Sequence, residues 1–271
     1  MRRVGVTGLT LILAACGSTA TPPAAPAAPR FEPVAGQSRV QHGERLARVL
    51  GCFGCHGQNL QGQPWSEEAD LAISFSSNLT RAVPQYSDAA LERAIREGIR
   101  ADGTALWDMP SEIFTELHPD DMADLVAFLR TLQPAGPEHP RIVFGPRGRR
   151  EVATGNYRPA SQHVQARRGQ GPVRFDALHD PARYMIRATC GECHGVTLTG
   201  DTWPEGERSP PDLNIVGAYS RDDFRRLMRT GIATGGRRVG VMSQVSRGRF
   251  AHMTDAEVDA IYDYLAARAR R

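Results

Sequence analysis

Apolar residues recur at helical spacing in two separate regions of this 271-residue chain. In the first region, residues 43–50 have apolar positions on one helical face, and residues 122–132 form the apolar face of a final helix. Ser87 is the predicted cap of a helix between them, which ends at Gly98. The glycine-containing stretch 98–110 predicts a loop before the final helix.

The second region repeats the spacing of the first. Tyr86 lies twelve residues before Gly98, and Tyr219 lies twelve residues before Gly231. Further matching positions are Trp65 with Trp203, Asn78 with Asp212, Ser87 with Ser220, and residues 127–129 with residues 263–265. This register predicts an all-α fold, in which two copies of one small helical domain follow each other.

Composition separates these regions from the rest of the chain. Residues 1–15 begin with two arginines and a short apolar run, which predicts an export signal too short to anchor in a bilayer. Residues 16–38 are rich in proline and alanine and predict an extended tether. The two predicted domains are residues 39–135 and 176–271. Residues 136–175 form a long connector, which either wraps one of the domains or is partly mobile. It is either a solvated linker or a docking segment.

Charge is nearly balanced over the whole chain but uneven along it. All 33 basic residues are arginine, against 30 acidic residues, and this balance argues against a dedicated nucleic-acid-binding protein. The first domain holds 8 arginines against 14 acidic residues, whereas the connector holds 8 arginines against 2 acidic residues. The connector is therefore a basic segment next to an acidic domain.

Four of the five cysteines lie in two copies of the pattern Cys-x-x-Cys-His. The residues are Cys52, Cys55, His56, Cys190, Cys193 and His194. This pattern is the attachment signature of c-type haem, in which the sulfurs add to the two vinyl groups and the histidine is placed to bind iron. Disulfides or a four-cysteine zinc site are the alternatives, but neither requires the histidines. The sequence predicts two covalently bound haem c groups.

The second axial position of each iron separates electron transfer from catalysis. Met109 and Met242 each lie eleven residues after the glycine that ends a helix, so they occupy the same place in both copies. Each is expected in a loop that crosses the far face of the haem. A thioether opposite histidine favours reduced iron and raises its potential. Met109 and Met242 are therefore the predicted axial ligands, with His252 and Met253 as competitors in the second domain.

Arginines also surround the second candidate methionine. They are Arg237, Arg238, Arg247 and Arg249. If they surround the edge of the second haem, they would steer an acidic partner towards it. Scattered surface arginines in an arginine-biased chain are the alternative.

The fifth cysteine, Cys16, ends the leader in the sequence Leu-Ala-Ala-Cys. This sequence resembles a bacterial lipobox, so Cys16 is the predicted site of lipidation. An ordinary secretory signal with an incidental cysteine is the alternative, and both place the chain outside the cytoplasm. The expected location is a membrane surface facing the periplasm. Gly17 follows the cysteine, with no aspartate to signal retention in the inner membrane, and this favours the outer membrane.

With these motifs, the chain resembles class I c-type cytochromes, and more closely the two-domain dihaem cytochromes that accept electrons from bacterial periplasmic dehydrogenases. The resemblance rests on both attachment motifs, on residues 95–103 running on to Met109 and Pro110, and on residues 250–257 running on to 262–265. It implies a small helical bundle around each haem and redox protein partners, such as a dehydrogenase, a quinol-oxidising complex or a terminal oxidase.

The function expected from this resemblance is single-electron transfer, without enzyme activity of the chain itself. No catalytic residue is predicted. A dihaem peroxidase or a thiosulfate-oxidising cytochrome is the first alternative, and it requires a haem with an open or unusual ligand. The second alternative is a fixed subunit of a dehydrogenase or oxidase complex.

Overall fold

The computed structural model describes residues 28–201 and 209–271. The predicted signal peptide, Cys16 and Trp203 lie outside these residues, as does the tether up to residue 27. Helices dominate, so the predicted all-α class is confirmed, and the strands are few and short. The helices are α1 (Arg39–Val49), α2 (Cys52–Cys55), α3 (Leu79–Ala82), α4 (Asp88–Glu97), α5 (Ser111–Phe114), α6 (Pro119–Leu129), α7 (Pro146–Thr154), α8 (Ala160–Ala166), α9 (Asp180–His194), α10 (Arg221–Thr230), α11 (Val241–Gly248) and α12 (Asp255–Ala269). The strands are β1 (Pro64–Glu68), β2 (Ala72–Phe75), β3 (Val143–Phe144), β4 (Ile232–Ala233) and β5 (Arg237–Arg238).

The central helices of both predicted domains begin and end at matching residues. The Ser87 hydroxyl accepts the N–H of the third residue of α4 at 3.2 Å, and the Ser220 hydroxyl does the same in α10 at 3.1 Å. Gly98 and Gly231 end these helices with φ of 68° and 74°, which glycine adopts at little cost. The predicted cap at Ser87 and stop at Gly98 are confirmed.

In the first domain, α1 and α6 cross at close range. A Cβ atom at Gly43 would lie 1.9 Å from the carbonyl oxygen of Asp124, so only glycine permits this approach. Leu46 and Ala47 on α1 and Leu125 on α6 are buried in the core that the crossing encloses. In the second domain, α9 packs on α12, and buried side chains of both helices, Ile186 and Ile261 among them, join the same core.

A small sheet on the first domain lies outside the all-α prediction. Strands β1 and β2 form an antiparallel hairpin, and β3 of the connector pairs with β2 through Ala72 and Phe144. These segments are short and lack an extended alternation of apolar and polar residues, which is why the pattern of the sequence did not predict them.

The connector packs on both domains. Most of it lies on the first domain, and its end reaches the second, where the Tyr264 hydroxyl donates to the Val173 carbonyl at 2.6 Å. On the first domain, the Ala160 N–H of the connector donates to the carbonyl of Leu106 at 2.9 Å. Its Arg147 pairs with Glu68 at 2.5 Å and with Asp70 at 3.2 Å. The basic connector and the acidic domain therefore meet through specific ion pairs, and because these pairs are exposed to solvent they stabilise the contact only weakly.

Contacts between the domains extend into the predicted tether. Phe31, which the sequence placed in the tether, is fully buried, and its ring lies 5.6 Å from that of Tyr184 on α9. The Phe31 N–H and the Tyr184 hydroxyl both donate to Asp121, at 2.9 and 2.6 Å. The packed structure thus begins before residue 39. Over the described ranges, none of the helices combines the length and the apolar character that a membrane span needs.

Candidate functional site

A mostly apolar cleft in the first domain collects the predicted ligands of the first motif. It encloses about 1260 Å³, including its open mouth. The predicted site residues in its wall are Cys52, Cys55, His56 and Met109. The apolar residues of the wall include Leu79, Val83, Leu91, Ile95, Leu125 and Leu129. The cleft therefore brings together two thiols, an imidazole and a thioether around an apolar space, and this donor set fits a covalently held haem.

The orientation of His56 suits an iron ligand. Its Nδ1 lies 2.7 Å from the carbonyl oxygen of Ser77, and because a carbonyl only accepts, Nδ1 must carry the proton. Burial lowers the pKa of His56, against the opposing effect of the Ser77 carbonyl, and favours the neutral ring. The Nε2 lone pair is then free to bind a metal, and the carbonyl fixes the ring.

His194 in the second motif has the same arrangement. It is buried, and its Nδ1 lies 2.8 Å from the carbonyl oxygen of Pro211. Burial again lowers the pKa of the imidazole. The following loops also match, since Leu60 and Leu198, four residues after each histidine, both have positive φ, of 57° and 66°. Both histidines are therefore held in the same tautomer by the same local fold.

Neither pair of motif cysteines forms a disulfide in the structure. Burial is the main effect on each and raises the pKa of Cys52 to about 12 and of Cys55, Cys190 and Cys193 to about 11. Within residues 28–201 and 209–271, no three or more histidine, cysteine or acidic side chains are grouped to hold a metal ion. The disulfide and zinc alternatives thus gain no support from the structure.

Met109 lies in a non-helical segment just before α5, as the sequence predicted. The preceding residue, Asp108, has a φ of 59°, and its carboxylate accepts the Tyr157 hydroxyl of the connector at 2.5 Å. The neighbouring Trp107 ring packs against Phe144 and Tyr157, with centroids 4.7 and 5.4 Å away. The connector therefore supports the loop that carries Met109, a role that the sequence did not predict.

Met242 lies in a different local structure from Met109. It is the second residue of α11, not part of a loop, and it is partly buried against the core. The helix begins early because Gly240 turns the chain with a φ of 60°, and the Ser243 hydroxyl then donates to the Gly231 carbonyl at 2.6 Å. The competing Met253 is buried in the core.

The four arginines predicted to surround Met242 differ in their exposure to solvent. Arg237, Arg238 and Arg247 are exposed, as a steering surface requires. The Arg249 side chain is only 11% exposed, and its Nη1 lies 2.5 Å from a carboxylate oxygen of Glu192 in the second motif. Arg249 therefore lies inside the molecule, and its assignment to a surface cluster was wrong. In the sequence, this contact involves Gly51 and Gly54 at the first motif and Glu192 in the second. None of these residues indicates that Arg249 is its partner.

Comparison with known proteins finds similarity to cytochromes c. Residues 40–133 match the family model for cytochrome c. The chain is 24% identical to the fructose dehydrogenase cytochrome subunit of Gluconobacter japonicus, over 97% of this chain and 59% of that protein. It is 26% identical to the quinone alcohol dehydrogenase cytochrome c subunit of Gluconacetobacter polyoxogenes, over 86% of this chain and 56% of that protein. It is also 26% identical to a diheme cytochrome c-type protein of Cereibacter sphaeroides, over 98% of both chains.

The chain thus spans less than two thirds of the length of each of these two dehydrogenase subunits. Their names agree with the prediction of an electron-transfer subunit rather than an enzyme, and the family match agrees with the helical fold. By these findings, residues 40–133 are similar to cytochrome c domains, and nearly the whole chain is similar to a protein named as the cytochrome subunit of a dehydrogenase.

Proposed function

We propose that this chain is a dihaem cytochrome that transfers single electrons between periplasmic redox proteins. The observation that carries the proposal is the repeated geometry of the two motifs, in which His56 and His194 each give their Nδ1–H to a backbone carbonyl and keep Nε2 free. Haem, when bound, supplies the one-electron oxidation and reduction at its iron. The chain supplies attachment, orientation and the surroundings that set the potential.

The residues of the first cleft have distinct roles in this proposal. Cys52 and Cys55 would hold the macrocycle, and His56 and Met109 would supply ligands to its iron. The apolar wall excludes water, and the packed loop around Met109 keeps the ligands in place in both oxidation states. In the second domain, Cys190, Cys193, His194 and Met242 have the corresponding roles. Fixed ligands favour electron transfer over the peroxidase alternative, which needs an open position.

A dehydrogenase is the proposed electron donor, and a quinol-oxidising complex or a terminal oxidase is a further candidate partner. The support is the similarity to proteins named as cytochrome subunits of fructose and alcohol dehydrogenases. The lipobox-like sequence supports a lipid anchor at Cys16 on a membrane facing the periplasm. Replacing Cys16 with serine is then expected to release the protein from the membrane fraction.

The test of the dihaem proposal is the number of haems that stay attached after denaturation. The mass of the exported wild-type protein is expected to include two haems per chain. The double replacements Cys52→Ala/Cys55→Ala and Cys190→Ala/Cys193→Ala are each expected to retain one. A wild-type protein with one haem, or with haem that dissociates on denaturation, would contradict the proposal.

The axial methionines are tested separately by the weak near-infrared band of methionine bound to ferric haem. Met109→Ala and Met242→Ala are each expected to remove part of this band and to let carbon monoxide bind the reduced haem. Met122→Leu is the matched control, because Met122 is buried in the core on α6. An unchanged band in Met242→Ala would exclude Met242 as a ligand.

A further inference from the structure

One ion pair lies where the two haem-attachment motifs approach each other. Glu192 is the third residue of the second motif, and Arg249 follows α11. Arg249 Nη1 lies 2.5 Å from Glu192 Oε2, and the two side chains are 11% and 21% exposed. Both side chains also line the cleft of the first domain. A single charge pair therefore touches both sites that are proposed to bind haem.

The backbone of the first motif is shaped around this arginine. A Cβ atom at Gly51 would lie 2.2 Å from Cζ of Arg249, and one at Gly54 would lie 3.6 Å from its Nε. Gly51 also has a φ of 91°, which separates α1 from the short helix α2. In the second motif, Thr189 stands in the corresponding position, and α9 continues through it without a break. The backbone before the first cysteine therefore differs between the two motifs, and Arg249 packs at the first of them.

The geometry places the pair beside both motifs. Glu192 belongs to the second motif, and Arg249 packs against Gly51 and Gly54 at the first. The charges of the pair therefore lie close to the attachment points of both proposed haems.

We propose that Arg249 and Glu192 form a shared charge pair that sets the reduction potentials of both haems, with the larger effect on the first haem, whose cleft they line. Oxidised iron carries one more positive charge than reduced iron. A nearby guanidinium therefore favours the reduced form and raises the potential, whereas a carboxylate favours the oxidised form. This inference rests on the proposed dihaem function.

The test is a spectroelectrochemical titration of the full-length protein with haem attached. Arg249→Gln is expected to lower the midpoint potential of the first haem, and Glu192→Gln is expected to raise it. Each shift is expected to be about tenfold in the equilibrium between the two oxidation states, or about 59 mV for one electron. The double replacement is expected to return towards wild type, and Arg249→Lys to stay close to it. A shift on replacing Met109 assigns the titration wave of the first haem.

Arg247→Gln is the matched control, because Arg247 is exposed and lies only two residues from Arg249. Its potentials are expected to equal those of wild type. If two haems are attached but neither Arg249→Gln nor Glu192→Gln differs from this control, the pair has only a structural role and the inference is overturned. If Arg249→Gln does not fold, an unchanged potential in Glu192→Gln overturns it. A wild-type protein without two attached haems would instead refute the proposed function.

Discussion

The ion pair between Arg45 and Glu257 gives the most direct test of the contact between the domains. Arg45 Nη1 lies 3.0 and 2.9 Å from the two carboxylate oxygens of Glu257, and each side chain is 8% exposed. Arg45 Nη2 also donates to the carbonyl of Glu32 at 2.8 Å. Glu257 in turn accepts the Thr254 N–H at 2.7 Å in the capping box of α12. The pair is thus buried, and it joins the two domains through one guanidinium nitrogen that donates to both carboxylate oxygens.

Arg45→Met would leave the buried Glu257 carboxylate without its charged partner. Removing one member of such a pair costs about 3–5 kcal/mol, because the remaining charge is desolvated without compensation. In a protein of this size, about 1 kcal/mol corresponds to about 2–4 °C in melting temperature. The expected decrease is therefore about 6–20 °C. The double replacement Arg45→Met/Glu257→Leu removes both charges and is expected to recover most of this loss.

The measurement is thermal unfolding of the protein with haem attached, followed by circular dichroism. Arg39→Met is the matched control on the same helix, because Arg39 is 60% exposed and pairs with Asp124 at 2.6 Å. An exposed pair contributes about 1 kcal/mol or less. If Arg45→Met lowers the melting temperature no more than Arg39→Met, the buried pair does not stabilise the interface and the reasoning is refuted.

Three further replacements test local features. Tyr157→Phe removes the hydrogen bond to Asp108, which is worth about 1.5–3 kcal/mol. The near-infrared methionine band of Met109 is then expected to weaken, and an unchanged band would show that the connector does not support the Met109 loop. Ser243→Ala leaves the Gly231 carbonyl without its buried donor and is expected to cost about 1–3 kcal/mol in urea unfolding, so a neutral result would contradict this. A hydrogen bond from Arg225 lowers the pKa of Asp259 below 3.8. The Asp259 carboxylate is therefore expected to stabilise the folded protein fully well above pH 3.8, and this stabilisation is lost as the pH falls through the lowered pKa. In urea unfolding, the difference in stability between wild type and Asp259→Asn should disappear in acid, and a constant difference would contradict this.

The features that the sequence predicted well are those set by neighbours along the chain. A serine cap at residue 87 and a glycine stop at residue 98 depend on hydrogen bonds within one helical turn, so spacing alone locates them. The placement of His56 and His194 beside the motif cysteines is local in the same way. Met109 was placed correctly in a loop because glycine and proline positions limit the helices around it.

The features that the sequence did not predict depend on residues far apart in the chain. The Tyr157 hydroxyl reaches Asp108 across 49 positions, and Phe31 reaches Asp121 across 90. Neither contact leaves a periodic pattern, and both involve segments that composition alone classifies as tether or connector. The local structure around Met242 was also not predicted. A turn at Gly240 begins a helix that includes Met242, whereas Met109 in the first copy lies in a loop.

The repeat register itself hides the most consequential difference between the two copies. It aligns Gly51 with Thr189 as if they were equivalent, because each precedes the first cysteine of a motif. The structure shows that Gly51 receives the side chain of Arg249 from the other copy, whereas Thr189 stays within a continuous helix and bonds the Met185 carbonyl at 2.7 Å. The two copies therefore differ at the place where they meet. The two proposed haems are therefore expected to have different potentials, because the first proposed site lies beside a buried guanidinium that the second copy supplies.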